Sequence, residues 1–147
     1  MSEQNKSLSE SGSEAQNMRL AVVLHPQLES GAAANAAAIV VGGLRCKAFE
    51  PALPDADGHL HAAIRWNLVV LKARSATQLK KLLPSATAES VEAVAFTSKG
   101  QELSNSFNLY KEEIARQHTN DLDIVAVALF GTDDAVRSLT RSFSLFK

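Results

Sequence analysis

The sequence has only one cysteine, Cys46, so it cannot form an internal disulfide. It also lacks an excess of either charge: 15 Lys and Arg residues stand against 16 Asp and Glu residues, and the formal net charge is -1. This balance gives no global attraction to nucleic acid or to an anionic membrane. The longest apolar stretches, residues 32–44 and 122–130, are shorter than the roughly 20 residues of a membrane-spanning helix. We therefore expect no membrane partner.

The N-terminal segment, residues 1–17, is rich in Ser, Glu, Gln and Asn and offers almost nothing to bury, so we expect a disordered tail. It has no basic region followed by an apolar one, as a secretory signal would have. Together with the single cysteine, this predicts a cytoplasmic protein. Cys46 lacks a set of metal-binding partners, and we expect a small buried or half-buried side chain there. Residues 18–147 are long enough for one domain with a core.

Apolar segments of strand and helix character alternate along residues 18–147. The predicted strands are residues 19–24, 59–66, 68–73, 91–97 and 122–130, followed by a short extended piece near the C-terminus. The predicted helices are residues 32–44, a helix from Ser75 that closes at Pro84, a long helix behind a capping box at residues 98–101, and a short helix capped by Asp133 and Asp134.

Residues 45–58 contain two prolines and show no periodicity, so we expect a long loop there. The segments at 59–66 and 68–73 are predicted to be consecutive strands of one sheet, and 122–130 an interior strand, because it is apolar on both faces. The alternation predicts an α/β fold with a mixed, mostly parallel sheet of about four to five strands covered by helices.

Potential ligands are densest between residues 55 and 61, where Asp57, His59 and His61 would share one face of a strand. One interpretation is the seed of a metal site; the other, which we favour, is a polar turn at Asp57-Gly58 without metal. His59 and His61 are also the candidate general bases, because histidine titrates near neutral pH.

A second candidate region is the start of the alanine-rich helix. Backbone amides near Gly31 could hold a phosphate or carboxylate, or the segment is simply a helix that packs tightly. Asn35, inside this helix, is expected either to be exposed or to have a polar role, which would be a structural hydrogen bond or contact with a ligand. Gln101 is expected either to complete a capping box or to contact a ligand. No nucleophile elbow, phosphate-binding loop or dinucleotide-binding motif is present, so serine hydrolases, nucleotide hydrolases and dinucleotide enzymes are disfavoured.

From about Arg19 to its end, the chain resembles domain-of-unknown-function family two thousand, which is grouped with the type II peptidyl-tRNA hydrolases. The segments that carry the resemblance are the strand 20–24, the run Gly31-Ala32-Ala33-Ala34-Asn35-Ala36-Ala37-Ala38-Ile39, the run Asp57-Gly58-His59-Leu60-His61, the run Phe96-Thr97-Ser98-Lys99-Gly100-Gln101, and residues 131–146. The resemblance implies a type II peptidyl-tRNA hydrolase-like fold and a homodimer.

The chain departs from those hydrolases in their polar motifs. Ala stands in place of their lysine, Asn35 near their glutamine and Ala38 near their histidine. Phe96 falls near their aspartate, while Lys99 and Gln101 stand for their arginine and glutamine. The resemblance therefore implies a related fold with a different or lost activity. It implies a site where the start of the first helix faces the start of the Gln101 helix, with residues 57–61 nearby.

The resulting prediction is a protein that binds a small polar or anionic ligand, with no cofactor and no metal, and it leaves open whether the protein is an enzyme. The predicted ligand-binding residues are Gly31, Asn35, Asp57, Thr97, Lys99 and Gln101. One alternative is a peptidyl-tRNA or related ester hydrolase, for which tRNA would be a partner. The other is a non-catalytic, homo-oligomeric interaction module.

Overall fold

The structure is a computed structural model and describes residues 17–45 and 48–147. Cys46 and the predicted tail at residues 1–16 lie outside the described residues. The strands are β1 (Met18–Leu24), β2 (Phe49–Pro54), β3 (Leu60–Ile64), β4 (Asn67–Lys72), β5 (Glu92–Thr97), β6 (Ile124–Thr132) and β7 (Ser144–Leu145).

The helices are α1 (Ser30–Gly42), α2 (Ala76–Ala88), α3 (Ser98–Glu102), α4 (Phe107–Arg116) and α5 (Asp133–Leu139), with a 3-10 turn at Thr119–Asp121. None of the helices within the two described ranges is long and apolar enough to cross a membrane.

Five strands form one mixed sheet in the order β5-β6-β1-β4-β7. Only β1 and β4 pair in parallel, while β1 with β6, β5 with β6, and β4 with β7 are antiparallel. The predicted α/β class is confirmed, but the prediction of a mostly parallel sheet is wrong. A run that is apolar on both faces shows that a strand is buried between two layers, and it carries no information about the direction of that strand.

Helices cover both faces of this sheet. Alternate β1 side chains face opposite sides, so Ala21 and Val23 pack in the core beneath α2 and α5, whereas Val22 and Leu24 pack in the core beneath α1. Residues 124–129 of β6 are all buried, and β6 lies between β1 and β5, so the predicted interior strand is confirmed.

The predicted loop at residues 45–58 is wrong in part, because residues 49–54 in its middle form β2. This strand pairs with β3 in a separate two-stranded sheet, so β3 and β4 do not share a sheet as expected. Both prolines that favoured a loop lie in β2. This strand pairs on one side only, and a proline whose nitrogen faces the unpaired side removes no ladder hydrogen bond. The hairpin is exposed along residues 51–62, so its strands show no burial pattern that the sequence could reveal.

Two predicted helix ends are also wrong. Helix α2 continues past Pro84 to Ala88, because Pro84 lies on the exposed side and the buried Leu82 and Ala86 hold the last turn against the sheet. The predicted long helix is split into α3 and α4, since a turn closed by the amide of Ser106 and the carbonyl of Leu103 (2.8 Å) separates them.

The caps of two helices lie one position earlier than predicted. Thr97, not Ser98, caps α3 by accepting the amide of Gly100 (3.2 Å). Thr132, not the aspartates that follow it, caps α5 by accepting the amide of Ala135 (3.3 Å). The cap of α2 is as predicted, because Ser75 accepts the amide of Gln78 (3.2 Å).

We predict that Gly100→Ala lowers the free energy of unfolding by about 1–3 kcal/mol, because a Cβ at this position would overlap the Phe96 ring. That ring is only 6% exposed and packs edge-on against Tyr110, so it has little room to move. The matched control is Gly42→Ala, where a Cβ meets nothing within 4 Å and stability should stay the same or rise by up to about 1 kcal/mol. Chemical denaturation of both variants measures this, and equal stability of the two would contradict it.

Candidate functional site

The candidate site lies at one edge of the five-stranded sheet. Strands β1, β4 and β5 point the same way, because β4 is parallel to β1 while β1 and β5 are both antiparallel to β6. Helices α1, α2 and α3 begin after the carboxyl ends of these strands. In open α/β sheets, ligands bind at the carboxyl ends of the strands, so this edge is where polar side chains are of interest.

A side-chain hydrogen bond joins the starts of α1 and α3. Gln101 Nε2 donates to the carbonyl oxygen of Ala32 over 3.2 Å, and Gln101 is partly buried. The capping role predicted for Gln101 is therefore wrong: Thr97 caps α3, and the amide of Ser98 donates instead to the carbonyl of Asp123 (2.9 Å). We call the region around this bond the α1–α3 junction, comprising residues 29–35 and 97–101.

The outer side of α1 at the junction is open. Glu29, at the N-cap position, makes no side-chain cap, so the first-turn amides of α1 have no side-chain acceptor from it. A Cβ at Gly31 would meet nothing within 4 Å. Asn35 is exposed and forms no hydrogen bond with any described residue, so the prediction of a structural hydrogen bond is wrong. Its amide is therefore free to contact another molecule.

Two other predicted ligand-binding residues are engaged within the chain. Thr97 is only 3% exposed, and its hydroxyl accepts the amide of Gly100 and donates to the Tyr110 hydroxyl over 3.4 Å. Lys99 Nζ lies 3.2 Å from a carboxylate oxygen of Glu102, and both side chains are exposed. Thr97 is therefore a buried structural residue of the junction, whereas the Lys99 side chain is accessible to solvent.

The remaining predicted residues, Asp57, His59 and His61, lie at the tip of the β2–β3 hairpin. Asp55 organises this tip: its Oδ1 accepts the amides of Asp57 (2.9 Å) and His59 (3.0 Å), and its Oδ2 lies 2.7 Å from His61 Nε2. Gly58 closes the turn at φ 88°, a conformation that favours glycine. The role of Asp55 in organising the turn was not predicted, although an aspartate two residues before Asp-Gly is typical of such turns.

These contacts set the charge of the tip. The hydrogen bond from His61 is the largest cause that lowers the pKa of Asp55; burial opposes it, and the backbone amides of His59, Asp57 and Gly58 lower the pKa further. Asp55 is therefore a carboxylate at neutral pH. Among the described residues, no group of three or more His, Cys, Asp or Glu side chains is arranged to hold a metal ion.

The predicted residues thus fall into two groups. Gly31, Asn35, Lys99 and Gln101 belong to the two helix starts that the Gln101–Ala32 bond joins, whereas Asp57, His59 and His61 belong to the hairpin tip. No hydrogen bond among residues 17–45 and 48–147 joins the tip to the junction. The junction can bind polar groups through free amides, and the tip holds the two histidines.

Comparison with known proteins identifies a family and a shared fold. The family model described as Protein of unknown function (DUF2000) matches residues 18–147. Among solved structures, the protein of unknown function Atu0240 from Agrobacterium tumefaciens strain C58 is similar, with a TM-score of 0.77 and 14% sequence identity. The match covers 90% of this chain and 100% of that one. At this identity the likeness shows the fold alone. No curated protein matches the chain.

We predict that His61→Ala raises the pKa of Asp55 toward its ordinary value of 3.8, because the largest cause of the lowering is removed. Since the folded-state pKa lies below the unfolded one, the contribution of Asp55 to stability is present above pH about 4 and is lost as the pH falls through the lowered value. An NMR titration of the Asp55 carboxyl carbon measures the change. His59→Ala is the control, because the His59 ring is 4.0 Å from Asp55, beyond hydrogen-bond distance. An Asp55 pKa that is the same with and without His61 would contradict the prediction.

Proposed function

The chain belongs to the family of proteins of unknown function DUF2000, and we propose that it binds a small polar or anionic ligand at the α1–α3 junction. The observation that carries this proposal is Asn35, an exposed amide inside a helix with no partner among the described residues. Asparagine lowers helix propensity relative to alanine, and here it gains no internal hydrogen bond in return. A contact with a ligand would account for its presence among six alanines.

The surroundings of Asn35 support a ligand of this class. The first-turn amides of α1 carry the partial positive charge of a helix N-terminus, which favours a carboxylate or phosphate. Gly31 leaves space beside them, and Gln101 keeps α3 close through its bond to Ala32. The exposed carboxylate of Glu29 lies next to these amides in sequence and opposes a high negative charge. A neutral polar or singly charged group therefore suits the junction best.

We also propose that the protein shares the type II peptidyl-tRNA hydrolase-like superfamily fold without its activity. Phe96, which stands near the aspartate of those hydrolases, is buried and packs its ring under Gly100 and against Tyr110, with ring centroids 6.2 Å apart. An apolar ring at this position cannot orient a water or take up a proton. Peptidyl-tRNA or related ester hydrolysis, with tRNA as partner, is therefore the less favoured alternative. The single cysteine supports the cytoplasm as the place of action.

We predict that Asn35→Ala abolishes ligand stabilisation and leaves the ligand-free protein as stable as before, or more stable by up to about 0.7 kcal/mol through helix propensity. The measurement is a thermal-shift screen against small carboxylates, nucleotides, and aminoacyl and peptidyl compounds. A ligand at 100 times its Kd should add about 2.7 kcal/mol. Gln101→Ala is the comparison: it should lower the ligand-free stability by about 0.5–1.5 kcal/mol, because it removes the bond to Ala32.

Two outcomes would contradict this proposal. If a ligand still stabilises the Asn35→Ala variant, the site lies elsewhere. If no compound in the screen raises the melting temperature, the non-catalytic interaction module is favoured. A third measurement addresses the hydrolase alternative: release of the amino acid from N-acetyl-aminoacyl-tRNA, at a rate sensitive to Asn35→Ala, would make the protein an enzyme at this same junction.

A homodimer is a second proposal, and the β2–β3 hairpin supports it. Phe49 pairs with Ile64, and Leu60 lies four residues before Ile64, so these three side chains share one face. Phe49 is 44% exposed, Ile64 40% and Leu60 70%. The opposite face carries the Glu50–Arg65 ion pair (2.7 Å). A lone two-stranded hairpin is marginally stable in water, and the same apolar face on a second copy would cover it in a two-fold dimer.

We predict that Leu60→Asp shifts the protein from dimer to monomer, because it places a charge on the face that would be covered. Sedimentation velocity at micromolar concentrations measures the mass. Leu53→Asp is a matched control: Leu53 pairs with His61, so it lies on the other face, and it is 58% exposed. A monomeric parent protein, or equal loss of dimer in both variants, would contradict the proposal.

A further inference from the structure

A cavity of about 740 Å³ lies between α2 and the segment that leads into the 3-10 turn Thr119–Asp121. We call it the α2 cleft, and its lining residues are Thr77, Lys80, Lys81, Leu83, Pro84, Thr87, His118, Thr119 and Asn120. Helix α2 packs on the sheet face opposite to α1, so this cleft is separate from the α1–α3 junction. None of its residues was predicted from the sequence to bind a ligand.

The ionisable side chains that line the α2 cleft are Lys80, Lys81 and His118, and no Asp or Glu lines it. This is unusual in a chain whose net charge is -1. Some cationic side chains on other helices pair with nearby carboxylates, as in Lys99–Glu102, Arg116–Glu113 and Arg137–Asp133. Lys81, like Lys111 on α4, is exposed and has no hydrogen-bond or ion-pair partner among the described residues. Its ammonium group is therefore free to bind an anion.

The cleft is also held in shape by the chain itself. Lys80 Nζ donates to the carbonyl oxygen of Asn120 over 2.8 Å, which ties the 3-10 turn to α2 and leaves further protons on the ammonium group. The Thr87 hydroxyl donates to the carbonyl of Leu83 (3.1 Å), so only its oxygen lone pairs remain available. The hydroxyls of Thr77 and Thr119 make no hydrogen bond with a described residue and can donate to a ligand.

We propose that the α2 cleft binds a small phosphorylated molecule, with its phosphate between Lys80, Lys81 and His118. Ammonium groups and hydroxyls are donors that phosphate oxygens accept, and the absence of a lining carboxylate removes the group that would repel them. Leu83 and Pro84 give the cleft an apolar wall for the organic part of the ligand. Its volume falls within the roughly 300–1,000 Å³ of ligand pockets.

The test is an NMR titration of the full chain with pyrophosphate, a nucleoside monophosphate and a short RNA oligomer, at constant ionic strength. Backbone amide shifts should map to α2 and residues 118–120. Lys81→Gln should weaken pyrophosphate binding by roughly tenfold or more, since it removes one charge-assisted hydrogen bond. Lys81 makes no hydrogen bond or ion pair with any described residue, so this variant should melt close to the parent temperature, whereas Lys80→Gln would also loosen the 3-10 turn.

The matched control is Lys111→Gln, which removes the same charge from an exposed position on α4 that does not line the cleft. Its pyrophosphate affinity should equal that of the parent. Shifts that map elsewhere, an equal loss of affinity in both variants, or no saturable binding would overturn the proposal. Binding of RNA in preference to both small phosphates would also overturn it, because the ligand of the cleft would then be a polynucleotide and not a small molecule. Asn35→Ala should leave this binding intact, which separates it from the α1–α3 junction.

Discussion

The fold depends on the burial of one strand, β1, whose last five residues are almost completely removed from water. Residues 20–24 are at most 1% exposed, because β4 and β6 flank the strand and helices cover both of its faces. Its side chains alternate between the two cores, so this strand joins α1 on one side of the sheet to α2 and α5 on the other. The small side chains of Ala21, Ala126 and Ala128 let the helices pack closely on the sheet. Both candidate binding regions are positioned by this arrangement, one on each side of the sheet.

The sequence predicts those parts of the fold in which burial and periodicity coincide. Strands β1 and β6 are apolar over most of their length and largely buried, so their patterns were clear, whereas α1 buries only Ala33, Ala36 and Val40 and was predicted from its alanine content. Strand β2 could not be predicted, because it is exposed and its prolines indicate a loop, whereas β3 lies within the strand predicted at residues 59–66. The direction of each strand also has no local signal, since β6 would show the same apolar run if it were parallel to β1. The helix end predicted at Pro84 was wrong for a related reason: the effect of a proline on a helix depends on whether the proline faces solvent or the sheet.

The candidate site divides in the same way. Asn35 could be picked from the sequence because it departs from the alanine pattern around it, whereas Gly31 and Gln101 were picked because they lie at predicted helix starts. The partners of these residues could not, since the bond from Gln101 to Ala32 depends on how two helices meet. The α2 cleft shows the limit more sharply: Lys80 and His118 are far apart in the chain, and only the packed fold brings them to one cavity.

The hairpin has a consequence for how the protein opens. Strands β2 and β3 pair only with each other, and their side chains contribute to neither buried core cluster. Separating them from one another therefore exposes little apolar surface, so this unit should open far more often than the layered core unfolds. Its amides would exchange with solvent on their own timescale while β1 and β6 stay protected. A thermal melt consequently measures the unfolding of the layered core and does not show whether the hairpin is open or closed.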